Sequence, residues 1–189
     1  EVSSATVGRE LNQLEVLGYV EKHGYKGRSI TTLGRQIIEA ANTSLELEQY
    51  KKNLDDLINS NVLENFLMVL EARLAIERQT ARLAAERIGD DELMDLQECL
   101  QNQQNHSRDH QSIANDDICF HSSIAKGSKN KALYSLYMML SSMGQQSQLF
   151  EELRHRVGDN YSNFHERIFF ALQARDPDEA EQCMIDHIS

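Results

Sequence analysis

The chain has 189 residues and a net charge of −11, with 40% hydrophobic residues, nine Gly and a single Pro. That hydrophobic content excludes a disordered polypeptide, the length suits one medium domain with a small appendage, and no apolar run approaches the roughly 18 residues of a membrane span. Scarce Pro and Gly among many Leu, Ala, Glu and Gln point to a mainly α protein.

The chain opens directly on a helix start without an initiator Met, so a segment upstream of residue 1 is expected. Ser3 or Ser4 can cap a first helix through Thr6, Val7, Leu11, Leu14 and Leu17, and Gly18 stops it. Tyr19 to Lys22, a Gly-containing turn from His23 to Gly27, and Arg28 to Thr31 then predict a short β-hairpin. A helix followed by a hairpin with a basic tip matches the second half of a winged helix-turn-helix, here incomplete at its N-terminal side. Residues 1–36 hold five bases against four acids, a net +1, so the acidic charge lies entirely in the rest of the chain. Phosphate and base contacts are therefore expected only at this end, from Ser3, Ser4, Thr6, Arg9, Lys26 and Arg28.

From Thr32 onward every predicted element is helical. A linker helix runs over about 32–57, and the boundaries assigned are 1–36 for the winged unit, 37–58 for the linker and 59–189 for a helical bundle. A long helix over about 62–88 ends at Gly89, and Asp90, Asp91 and Glu92 supply acids to the first turn of the next, about 90–105. A helix bearing Asp117 and His121 breaks at 126–129. Another starts near Asn130, a cap, and carries Leu133, Leu136, Leu140 and Met143 on a face suited to core or dimer interface. Two last helices, about 160–174 and 177–188, flank Asp176-Pro177, with Pro177 at the first helical position.

Three of the seven histidines stand where a Leu is expected. Asp117, His121, Ile124 and Ala125 share one helical stripe, which projects a carboxylate and an imidazole together. His165 leads the series Ile168, Phe169 and Leu172, and His187 closes the stripe Ala180, Cys183 and Met184. Imidazoles on core-facing positions need partners, and three with a carboxylate make a ligand set for a divalent cation: Asp117, His121, His165 and His187. Zinc is the first choice of metal, and nickel or manganese also suit the donors. His106 and His110 share a helical spacing but sit among polar residues, His23 lies in a turn, and His155 stands between two arginines, so none is assigned to a metal. Cys99, Cys119 and Cys183 are isolated in sequence and odd in number, which suggests free thiols in a reduced, cytoplasmic interior.

These residues carry a resemblance. Val2-Ser-Ser-Ala-Thr-Val-Gly-Arg-Glu-Leu11 with Leu17-Gly-Tyr-Val20 resembles the recognition helix and strand of GntR-type winged-helix repressors. Glu71-Ala-Arg-Leu-Ala-Ile-Glu77, Arg82 to Arg87, Asp117-x-x-Phe120-His121, His165-x-x-Ile168 and Ala180 to His187 look like the FCD effector domain of the FadR subfamily. The resemblance implies an all-α bundle of six or seven helices that dimerises, binds a divalent metal through the four residues above, and holds a small carboxylate effector near Arg73. A guanidinium suits that task because it forks onto two oxygens, although an ion pair with Glu77 at i+4 is the simpler use of Arg73. It also implies a double-stranded DNA operator as partner and no membrane association. Gly8 stands where the family has Arg, and Ser4 replaces part of a frequent Ser-Arg pair, so operator preference does not transfer.

Two other classes compete with a regulator. A metal-dependent hydrolase or oxygenase is chemically conceivable from an Asp/His3 set, yet no general base stands near the ligands, and Glu166 points about 100° away from His165. A structural metal in a protein-interaction domain is the other. The N-terminal winged unit has no role in such an enzyme, and the structural reading is favoured only by a closed site in a chain that fails to bind DNA.

Overall fold

The structure, a computed structural model, describes residues 3–60, 62–109, 111–144 and 160–189. The expectations for His110 and His155 fall outside these residues, as does the side chain of Met143. The chain forms two compact units, Glu1–Leu54 and Asp55–Ser189.

The first unit begins with α1 (Ser4–Val16), capped by Ser3, whose hydroxyl accepts from the Thr6 amide at 3.2 Å. Gly18 follows the helix at φ +74°, a conformation that side chains resist, and turns the chain into β1 (Val20–Lys22). A single 3-10 turn at Gly24–Lys26 leads to β2 (Arg28–Ile30), which pairs antiparallel with β1 in the register Val20↔Ile30, Glu21↔Ser29 and Lys22↔Arg28. The helix and hairpin stand close to the predicted spans. α2 (Thr32–Ile58) runs on as one continuous helix through the expected linker.

Little apolar burial holds this unit together. α1 buries no residue, and Val7, Leu14 and Leu17 remain exposed. Polar braces do the work instead. The Thr31 hydroxyl donates to the Gly18 carbonyl at 2.7 Å and accepts from the Gly34 amide at 3.0 Å, so one side chain caps α2 and ties it to the turn after α1. Gly34 is buried, and any Cβ there would overlap the Tyr19 carbonyl oxygen. The hairpin meets α2 at a corner only glycine can fill.

The second unit is an all-α bundle of α3 (Leu63–Arg87), α4 (Asp90–Arg108), α5 (Ala114–Gly127), α6 (Lys131–Gly144), α7 (Asn160–Gln173) and α8 (Pro177–Ile188). α3 is central and packs against α5, α6, α7 and α8, while α4 lies against α5 and α7. The core gathers Ala81, Ala84 and Ala85 of α3 with Leu96, Phe120, Ile124, Ile168, Leu172, Ala180 and Met184. Small residues at 81, 84, 85 and 180 allow helices to approach closely, and the larger ones fill the space between them.

Caps set the helix ends. Glu92 accepts from the Gly89 amide at 2.9 Å and opens α4, Asn130 accepts from the amides of Ala132 and Leu133 at 3.1 and 3.2 Å, and Asp176 accepts from those of Asp178 and Glu179 before α8. The Arg175 guanidinium donates to the Ile88 carbonyl and, at 3.0 Å, to Asp90, fastening the start of α8 to the α3–α4 junction.

One expectation fails. Cys99 on α4 and Cys119 on α5 are joined by a disulfide, and Cys183 is the free, buried cysteine. The cysteines looked isolated because the sequence separates the first two by 20 residues; packing of α4 on α5 brings them together. The inference of a reduced compartment from unpaired thiols loses its premise. No helix of the described residues is long and apolar enough to cross a membrane.

Candidate metal centre

Three helices aim four side chains at one point. Asp117 and His121 come from successive turns of α5, His165 from α7 and His187 from the last turn of α8. One donor atom from each lies within 4.8 Å of the others. The imidazole Nε2 atoms stand 3.2 Å apart for His121 and His165, 3.1 Å for His121 and His187, and 3.1 Å for His165 and His187. Asp117 Oδ1 is 3.6 Å from Nε2 of His121 and 3.5 Å from that of His165. Asp117, His121 and His165 are buried.

The opposite ring nitrogens explain why these atoms converge. His121 Nδ1 abuts the Glu77 carboxylate, and His165 Nδ1 donates to Gln103 Oε1 at 2.7 Å. An acceptor at Nδ1 draws the single proton of a neutral imidazole there and leaves a lone pair on Nε2. Two lone pairs 3.2 Å apart beside a carboxylate repel one another, and a cation between them removes the repulsion.

The spacing also fits. With metal–nitrogen bonds of about 2.0–2.1 Å, neighbouring donors stand about 3.3 Å apart in a tetrahedral site and about 3.0 Å apart at right angles. The observed values fall between these. Three nitrogens and one oxygen thus form a set that a divalent transition metal would accept.

The supporting shell is equally built. Glu77 is fully buried; burial pushes its carboxyl toward neutrality, but the Arg73 guanidinium and the adjoining His121 prevail and hold it at about 2. Arg73, also buried, donates from Nε to Glu77 Oε1 at 2.6 Å. Burial first, then the neighbouring His165 and His121, push His187 well below the ordinary imidazole range, toward the neutral form that metals require. Phe120, within Asp117-x-x-Phe-His121, stacks on the His165 ring with centroids 4.3 Å apart and meets His121 edge-on at 5.6 Å. Tyr137 of α6 covers the other side, its ring 6.5 Å from that of His121. Burial, with the charge of Glu77, raises its hydroxyl pKa well above the usual value.

All four residues expected as ligands on helical phase are brought together. Glu77 entered the sequence reading only as an ion-pair partner for Arg73, and that pair exists. Its second oxygen, facing His121, was missed, and so was Gln103. Gln103 completes the buried stripe Leu96, Cys99 and Leu100 on α4, so the phase that found the histidines would have found it too. Of the control histidines, His106 pairs with Asp116 at 2.7 Å between the end of α4 and the start of α5, and His23 hydrogen-bonds Ser29 in the hairpin. Glu166, weighed in the sequence as a possible base beside His165, accepts from Gln104 at 2.6 Å.

At the N-terminal end, Ser4, Arg9 and Lys26 are exposed. Ser3 is the helix cap, and the Thr6 hydroxyl lies 2.9 Å from it. Arg28 is engaged inside the unit: its Nε donates to Glu15 at 3.0 Å and its Nη2 to Asn12 at 2.5 Å, bracing the hairpin on α1.

A helical bundle whose centre gathers an Asp/His3 donor set, preceded in the chain by a helix–hairpin unit, defines a class of two-part helical proteins. The FCD domain model matches residues 68–189, so the chain belongs to the FCD-domain family of GntR-type transcriptional regulators. It is 29% identical over 125 residues to the uncharacterized HTH-type transcriptional regulator YcbG of Bacillus subtilis, a match covering 66% of this chain and 52% of that protein. It is 26% identical to the Exu regulon transcriptional regulator of Escherichia coli, over 99% of this chain and 68% of the relative, and 24% identical to LutR of Bacillus subtilis over 100% and 83%. The chain thus spans about half of the first of these relatives. Among solved structures, Streptococcus agalactiae GntR superposes with a TM-score of 0.56 at 23% identity, covering 99% of this chain and 80% of that one. Escherichia coli McbR/YncC gives 0.57 at 15% identity, over 99% and 77%. These two share the fold. The curated relatives are named as transcriptional regulators, not as enzymes.

Proposed function

We propose that this regulator binds operator DNA through its N-terminal unit, acts as a homodimer, and senses a small organic acid in a bundle that carries a divalent cation. The observation that carries the sensor reading is the paired orientation of His121 by Glu77 and His165 by Gln103, which turns their Nε2 lone pairs toward each other and toward Asp117 and His187. Asp117, His121, His165 and His187 would hold the ion, zinc first, with nickel or manganese also admissible. When bound, the ion supplies a Lewis-acid seat for one carboxylate oxygen.

Arg73 would face the rest of the acid. Its Nε already serves Glu77, so the effector would be met by the other N–H groups of the guanidinium, and Glu77 keeps Arg73 and His121 in fixed relation. An acid seated there connects α3 to α5, α7 and α8. It shifts operator affinity only if it binds two arrangements of the protein unequally.

DNA contact is assigned to the winged unit over residues 1–36, with 37–58 as linker and 59–189 as sensor. Arg9 and Lys26 are placed to meet phosphates, and Ser3, Ser4 and Thr6 stand at the start of the helix proposed to enter the major groove. Arg28 contributes by fixing the hairpin, and a phosphate would have to compete with Glu15 and Asn12 for it. Homodimerisation fits the exposed Leu63, Leu67 and Met68 of α3 and Leu136 and Met139 of α6, two helices packed on each other.

The test is a native mass spectrum of the purified protein followed by a band shift on operator DNA, with and without chelator and a panel of carboxylic acids. A bound divalent ion and an acid-dependent change in operator affinity are expected. If neither chelation nor any acid alters the shift, the sensor reading is abandoned.

A further inference from the structure

The disulfide between Cys99 and Cys119 joins α5, which carries Asp117 and His121, to α4, which carries Gln103. Their Cα atoms are 5.9 Å apart, inside the roughly 4.4–6.8 Å that disulfides span. Cys119 stands midway between Asp117 and His121 on α5, on the exposed side of that helix. Cys99 is buried on α4, one turn before Gln103, on the same stripe. The bond therefore joins the helix that carries two donors to the helix whose amide holds His165 in place.

We infer that Cys99 and Cys119 form a reversible thiol–disulfide switch that sets how tightly the Asp117, His121, His165 and His187 site holds its cation. The inference rests on the metal reading above. In the reduced protein the exposed Cys119 is the sulfur that a small oxidant can reach. Its thiolate attacks one sulfur of a low-molecular-weight disulfide such as oxidised glutathione, expels one thiol and leaves a mixed disulfide on Cys119. The Cys99 thiolate then attacks Cys119 Sγ, forms the internal bond and expels the second thiol. Two cysteines are oxidised, one small disulfide is reduced to two thiols, and the cysteine protons end on the released thiols. Reduction runs the same steps backward, entering at Cys119.

The direction follows from the donors. Without a cation the lone pairs of His121 and His165 and the Asp117 carboxylate repel each other, and the helices that carry them gain by moving apart. A covalent tie between α4 and α5 fixes Gln103 relative to Asp117 and His121, and through Gln103 it holds His165 of α7 against that relaxation. The oxidised site is preorganised and holds its ion more tightly. Cys183 provides an internal standard, because it is 1% exposed and its thiol donates to Glu179 at 3.3 Å, out of reach of the exchange.

The full chain is equilibrated in glutathione mixtures from reducing to oxidising, quenched with acid and unfolded, and free thiols are then counted by alkylation and mass spectrometry. Nickel affinity is then read by competition with a chromophoric chelator. Expected are three alkylated cysteines in the reduced form, one in the oxidised form, and nickel held more tightly by the oxidised form by on the order of tenfold, the scale of losing an outer-shell support. The paired variant Cys99→Ser with Cys119→Ser should bind nickel as the reduced protein does, whatever the glutathione ratio. A thiol count that stays at three in oxidised glutathione, or equal nickel affinity in both redox forms, overturns the switch while leaving the metal reading intact. Absence of nickel binding in either form overturns both.

Discussion

The two units are held together by different physics. In the bundle, polar groups sit deep among apolar side chains, and each is oriented by another: Arg73 by Glu77, His121 by Glu77, His165 by Gln103. Among the described residues up to the first turn of α2, Gly34 alone is buried, and side chain to backbone bonds from Thr31 and the Arg28 brace substitute for a core. Buried polar networks are costly to leave incomplete, so the bundle fixes its geometry to a fraction of an ångström. The helix–hairpin unit needs only to present exposed donors on a firm corner.

Perturbations should therefore act on one unit without the other. The largest effect is expected from His165→Ala, which removes a donor: metal content of the purified protein should fall to background, while the far-ultraviolet spectrum of the helices persists. Retention of a stoichiometric ion would show that the three remaining residues suffice. Next, Leu96→Ala at a fully buried core position should destabilise the bundle by about 2–5 kcal/mol in a denaturant titration. Leu14→Ala, at a site 37% exposed, should cost well under about 1 kcal/mol in the same experiment.

Gly34→Ala reverses the pattern. The added methyl overlaps the Tyr19 carbonyl and must displace the hairpin, so operator binding should be lost while metal affinity and the bundle's melting temperature stay as they were. Equal damage to both properties would mean that the units are not separable. Gln103→Leu should lower metal affinity by about 10–100-fold with little loss of stability, since it deletes only the acceptor that orients His165. Smallest of all, Lys26→Ala should reduce the slope of log K against log salt by about one counterion in a DNA-binding titration, whereas Arg28→Ala should act mainly through the hairpin's stability.

The same contrast explains what could be read without coordinates. Helical phase grouped Asp117, His121, His165 and His187 as candidate ligands, which the fold brings together, because a carboxylate or an imidazole on an apolar stripe is conspicuous. The helix ends at Gly18, Gly89 and Pro177 were legible because caps and breakers act locally. Glu77 was assigned to Arg73 at i+4 on its own helix, and its second oxygen serves a residue 44 positions away, which no local rule reaches. Gln103 was overlooked among the polar residues around it, although its stripe was apolar. Arg28 was read as a DNA contact because a base at a hairpin is exposed by default; its brace to Glu15 and Asn12 was not legible, since those partners lie across a tertiary contact. The cysteine pairing failed for the same reason, since it depends on how α4 crosses α5.

Tyr137 gives the molecule a further property. The chain has no tryptophan and six tyrosines, so its near-ultraviolet emission comes from tyrosine alone. One of these rings is fully buried and stacks at 6.5 Å over a candidate ligand. A paramagnetic ion such as nickel, once seated, should quench that ring selectively, and the surface tyrosines, Tyr25 among them at 98% exposed, supply a constant background. The protein thus contains its own optical reporter, by which loading of the site can be followed in unlabelled material.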